Sequence, residues 1–156
     1  MKLKKLFTKK TAIAVGGVAL VLILVLCLNT VPPIVLRLMP AEQTVAYYFK
    51  QYNAKNLRGM QSVEYRDISN YRFEFPLLEY TRLISCEELS KEDAVRLFDQ
   101  KWLNSHPVYD FTACSVVYEI QYLGGWSVWS GRHGAVFYLV KETKYSNWMI
   151  VMWGQA

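Results

Sequence analysis

At 156 residues the chain holds about one domain, and its hydrophobic fraction of 53% is higher than a soluble domain needs. The net charge of +5 comes from Lys2, Lys4, Lys5, Lys9 and Lys10, because the other 13 basic residues balance the 13 acids. A neutral body lacks the clustered surplus of Lys and Arg that grips phosphates, so nucleic acid is excluded as an expected partner.

The five lysines lie in a basic flank, residues 1–11, expected to be cytoplasmic. No charged residue follows between Thr11 and Leu36, and Ala12–Leu28 is apolar throughout apart from Gly16 and Gly17. At 1.5 Å per helical residue this run, extended to Val31, spans roughly the hydrocarbon thickness of a bilayer. A helix satisfies its own backbone hydrogen bonds in lipid, so residues 12–31 are predicted to form a transmembrane helix with the bilayer as partner. The lysine asymmetry places the N-terminus inside and the remainder outside. Two rival readings are weaker. A cleaved signal peptide would want an A-x-A-like site, and "LNTVPPIVLRLMPA" lacks one. Lipidation at Cys27 would want a small residue before it, where this chain has Leu26.

Residues 32–40 are expected to be a linker stiffened by Pro32 and Pro33, and residues 41–156 an extracytoplasmic domain. Within it, Val45, Tyr48, Phe49 and Tyr52 recur at helical spacing and predict one buried stripe. A second short helix is expected over Leu57–Val63, then a short strand at Arg72–Phe75. "LLEYTRLIS" (77–85) reads as a strand with Leu78, Tyr80 and Ile84 on one face. "SKEDAVRLFDQKWLNSHP" reads as a single helix capped by Ser90, with Asp93 at the capping-box position and Ala94, Leu97, Phe98 and Trp102 as its stripe. Three strands follow. In "DFTACSVVYEIQY", Cys114, Val116, Tyr118, Ile120 and Tyr122 share one face. "GAVFYLVK" is apolar on both faces, as a central strand is. "NWMIVMW" sets Trp148, Ile150 and Met152 against Met149, Val151 and Trp153. The order predicts an α+β fold with helices laid on one face of a curved antiparallel sheet.

"YYFKQYNAKNLRGM" (47–60), "WSG" (129–131), "FYLVK" (137–141) and "WMIVMWG" (148–154) together resemble an uncharacterised group of membrane-anchored proteins from Gram-positive bacteria. That group belongs to the nuclear-transport-factor-two-like superfamily. The resemblance covers residues 41–154 and implies a cone-shaped α+β domain with a cavity between helices and sheet. It implies no activity. Where it would place an acid just before the final Trp-Gly, this chain has Met152.

Neither His106 nor His133 sits at metal-ligand spacing, and no Cys/His cluster accompanies them, so no metal or cofactor is expected. Phosphate-loop, dinucleotide and nucleophile-elbow motifs are absent. Glu119 with His133, the latter placed in a hairpin, is the one acid–base pair that can be suggested. Cys86 and Cys114, both at strand ends, could be bridged or free. "LGGWSVWSGRHG" (123–134) sets Trp126 and Trp129 among glycines, a composition suited to a contact loop, although the favoured reading packs Trp129 on the sheet edge and leaves only Trp126 exposed. The candidate ligand-binding residues are Tyr52, Tyr118, Glu119, Trp129 and Trp153. The expected function is a non-catalytic module that binds a partner protein or small ligand outside the membrane. Two alternatives are a structural subunit of an envelope-spanning secretion or conjugation assembly and a small isomerase- or dehydratase-like enzyme.

Overall fold

The computed structural model describes residues 33–98, 100–125 and 130–155. The chain divides into two compact units, 1–36 and 37–156. The expected flank and membrane span (1–31), Cys27, Trp126 and Trp129 lie outside the described residues. Among the described residues no helix is long and apolar enough to cross a membrane. Part of the expected linker is helical: α1 is Pro33–Leu38. A proline in the first turn of a helix gives up no hydrogen bond, so Pro33 starts this helix instead of preventing it.

Helix α2, Ala41–Asn53, buries Val45, Tyr48, Phe49 and Tyr52, the stripe its spacing predicts. It ends where Lys55 takes a left-handed conformation (φ 55°). The Asn56 side chain then accepts from the Gly59 amide at 3.2 Å and caps α3, Leu57–Gln61. Beyond α3 the chain runs along the edge of the sheet. The Ile150 amide donates to the Val63 carbonyl, and the Tyr65 amide to the Ile150 carbonyl, each at 2.8 Å. The expected strand at 72–75 is instead a single helical turn, α4, Tyr71–Glu74. Alternation marks a strand only where one face is buried, and Phe73 is 81% exposed.

Four strands, β1 (Leu78–Glu88), β2 (Asp110–Tyr122), β3 (Gly131–Lys141) and β4 (Met149–Gln155), form one sheet in the order β1-β2-β3-β4. All neighbours are antiparallel. The adjacent residues Phe137 and Tyr138 identify its two faces. Tyr48 and Phe49 of α2 pack on Phe137, with ring centroids 6.1 and 5.7 Å away. Phe98 packs on Tyr138 from the other side, at 5.2 Å. Helices therefore cover both faces, which corrects the one-sided layout.

The second layer comes from a break in the helix expected at 91–105. Ser90 accepts from the Asp93 amide at 3.1 Å and caps α5, Lys91–Leu97. Phe98 then adopts an extended backbone (ψ 138°), and α6 resumes at Gln100–Ser105. The break lets Phe98 enter a core with Val140 and Val151 while Trp102 packs beside it. Leu97, expected in the stripe, is exposed.

Two irregularities overturn expected strand faces. In β4 the register shifts between Tyr138 and Leu139: Tyr138 pairs with Met152, but Leu139 pairs with Ile150. Val151 is the extra residue of a bulge. Met152 therefore joins Met149 and Val151 against α5 and α6, and Trp153 turns to the Phe137 side. In β1, shifts after Leu78 and after Leu83 leave Leu78 and Thr81 buried while Tyr80 and Ile84 face outward. Cys86 pairs with Val116 and Cys114 with Glu88, so the two cysteines are diagonal neighbours on one face. Both are free thiols. The hydrogen bond between them pulls the Cys86 pKa down and pushes that of Cys114 up.

Phe98 is the wedge between α5, α6 and the sheet, touching Trp102, Phe111 and Tyr138. Phe98→Ala should destabilise the domain by about 3–5 kcal/mol. Urea denaturation of the full chain measures this, and a loss below about 1 kcal/mol would show that the second layer is not held by this ring.

Candidate functional site

The aromatic stripe of α2 does not fill the space above the sheet. A cavity of about 450 Å³ remains between it, the ends of β2, β3 and β4, and α4. Alternation along β2 points Tyr118, Ile120 and Tyr122 into it; β3 adds His133 and Phe137. The bulge in β4 brings Trp153, which stacks on Phe137 at 6.1 Å and 15°. Tyr71, Phe73 and Glu74 of α4 close one side, and the exposed Leu77 forms the lip with Phe73. Gly131, opposite Ile120, adopts a φ of 126° that favours glycine.

The polar atoms of the cavity are mostly phenols. The Tyr48 hydroxyl donates to that of Tyr71 at 3.5 Å. The Tyr52 hydroxyl donates to Glu74 Oε2 at 3.4 Å and shares a 3.2 Å hydrogen bond with Tyr122. These contacts are long, so the hydroxyls retain capacity to bond a guest. Burial pushes Tyr48, Tyr52, Tyr71 and Tyr122 above the ordinary tyrosine range. They stay protonated at neutral pH and can each donate or accept.

Behind Tyr48 and Tyr71 stands Glu64, a carboxylate at 1% exposure. Its Oε1 accepts from Arg66 Nε at 3.1 Å, while among the described residues Oε2 has no hydrogen-bond partner. Burial raises its pKa from 4.5 to about 7, against the opposing pull of Arg66. Its charge acts on both Tyr48 and Tyr71 and raises each.

Three expected site residues, Tyr52, Tyr118 and Trp153, line the cavity; Trp129 lies outside the described residues. Glu119 does not line it. Register pairs Glu119 with Arg132 and His133 with Tyr118, so Glu119 and His133 project from opposite faces. Glu119 instead accepts from Tyr80 at 3.0 Å and from Arg82 at 2.6 Å. His133 is not in a loop: it sits within β3, its ring 5.4 Å from that of Tyr118. The suggested acid–base pair is thus not assembled. His106 stacks on Trp102 at 4.3 Å, away from the cavity lining. Among the described residues no three His, Cys, Asp or Glu side chains could hold a metal ion. Tyr122 was recoverable from the alternation that singled out Tyr118. Glu64 and Tyr71 carry no periodic signal.

Residues 42–154 match a family described as a domain of unknown function, DUF4829. The chain belongs to the DUF4829 family. No curated protein and no solved structure matches the chain. The DUF4829 region includes every cavity-lining residue from Tyr48 to Trp153.

A carboxyl whose folded pKa lies above its unfolded value favours folding while protonated. Its contribution is complete below about pH 4.5 and is lost as pH rises through about 7. Glu64→Gln abolishes that dependence. Between about pH 4 and about pH 8, the stability of the variant relative to wild type should improve by roughly 3 kcal/mol. Urea titrations across that range test this, and a constant difference would mean that Glu64 is not the titrating group.

Proposed function

We propose that this DUF4829 protein is a non-catalytic, extracytoplasmic module that binds a small, largely apolar ligand in the aromatic cavity. The observation that carries this reading is the cavity itself: about 450 Å³, ringed by Tyr, Phe and Trp, with a few convergent hydroxyls. That volume and that mix of apolar wall and sparse polar groups are those of small-molecule sites. The domain is read as a cone-shaped member of the nuclear-transport-factor-two-like superfamily. Support comes from the order of helices and strands and from a cavity between α2 and the sheet, with α5 and α6 as an added layer behind.

The membrane reading rests on the sequence of residues 1–31. A lysine-rich flank before an uncharged run of bilayer length holds the domain outside the cell, in keeping with the resemblance to Gram-positive membrane proteins. Protease added to intact cells should digest residues 41–156. Survival there, with digestion only after lysis, would overturn the topology.

For the cavity, the uncharged solvatochromic dye Prodan should bind the purified full chain at one saturable site with blue-shifted emission. Ile120→Trp, which fills the cavity from its floor, should weaken this at least about tenfold, or about 1.4 kcal/mol. A thermal melt confirms that the variant folds. Absence of saturable binding to the wild type would remove the proposal.

A further inference from the structure

Most of the described cavity wall is electronegative. Nine of its lining residues carry Phe, Tyr or Trp rings, whose faces are the negative part of the ring quadrupole. The one carboxylate among the lining residues is Glu74 on α4, and a second, Glu64, acts on Tyr48 and Tyr71 from behind. No described lining residue is Lys or Arg. Elsewhere the protein supplies its own cations to ring faces: Lys91 Nζ lies 4.1 Å from the Phe111 ring centre, and Lys141 Nζ 5.1 Å from that of Trp148. Among the described lining residues no Lys or Arg does so, and the imidazole of His133 lies 5.4 Å from the Tyr118 ring. Arg66 sits beyond Glu64, half exposed and already paired with it.

We propose that the cavity binds an organic ammonium cation, with the ring faces and Glu74 holding the charge and the tyrosine hydroxyls meeting a polar substituent. The proposal rests on the cavity being a ligand site and specifies the ligand's chemistry. A quaternary or alkylated ammonium is the class suited to an aromatic cage. Its charge is spread over methyl groups that pack against rings, its desolvation is less costly than that of a bare ammonium, and cation–π attraction strengthens where water is excluded. An anion would meet the carboxylate and ring faces unfavourably. A neutral apolar guest would gain burial but not the electrostatic attraction.

The test compares acetylcholine, used as a probe of trimethylammonium and ester chemistry, with 3,3-dimethylbutyl acetate, in which carbon replaces the charged nitrogen. Both are titrated against the purified full chain by ligand-observed NMR. Acetylcholine is expected to bind at least about tenfold more tightly. Glu74→Gln should cut the affinity for acetylcholine several-fold and leave that for the neutral ester unchanged. Glu74 is on the surface of α4, so the variant should fold, and its melting curve verifies this. Equal binding of the two probes would overturn the ammonium assignment while leaving the cavity as a ligand site. If neither probe nor Prodan bound, the cavity reading would fail and this inference with it. A cation preference that survived both Glu74→Gln and Trp153→Leu would place the cation elsewhere and also overturn the assignment.

Discussion

The packing of Tyr48 and Phe49 onto Phe137 is the contact on which the rest of the domain turns. It seats α2 on the sheet and fixes which face of the strands lines the cavity. Phe49 also touches Tyr118 at 5.1 Å, so one aromatic cluster ties the helix to two central strands. Ring pairs of this kind add about 0.5–1.5 kcal/mol each beyond the apolar area they bury. The same rings that close the core are the inner wall of the cavity. Structure and candidate site are therefore built from one stripe of residues, with Tyr52, one turn on, as the hinge between packing and recognition.

Much of this was legible before any coordinates. The spacing of Val45, Tyr48, Phe49 and Tyr52 defined the buried side of α2, and the alternation of β2 grouped Tyr118 with Val116, Ile120 and Tyr122 on one face. Both are one-element patterns that burial enforces directly. What stayed hidden depends on pairs of elements. The Val151 bulge exists only because β4 pairs with β3 out of simple register, and nothing in "NWMIVMW" marks it. The break at Phe98 reflects the demand of the second core, where good helix formers on either side conceal it. Glu119 and His133 looked compatible on paper, and only cross-strand register could place them on opposite faces.

The buried carboxylate follows the same rule. Glu64 is held inside because its neighbours Val63 and Tyr65 exchange backbone hydrogen bonds with Ile150, which fixes the direction of its side chain. Leaving one carboxylate oxygen unpartnered in an apolar interior opposes folding. That cost is tolerated here in a domain whose described cavity lining carries one carboxylate, Glu74, and no Lys or Arg.

The bulge at Val151 gives the C-terminal strand an unusual sensitivity. Side chains in a strand alternate with period two, so the single extra residue acts as a phase shift: it switches Trp153 from one sheet surface to the other. If the extra residue were instead absorbed into regular pairing, strict alternation would carry the indole to the layer of Met149 and Val151, with no change in composition or hydrophobicity. The indole thus owes its place in the chamber wall to how β4 is paired with β3, while Val151 itself fills the core beneath Phe98.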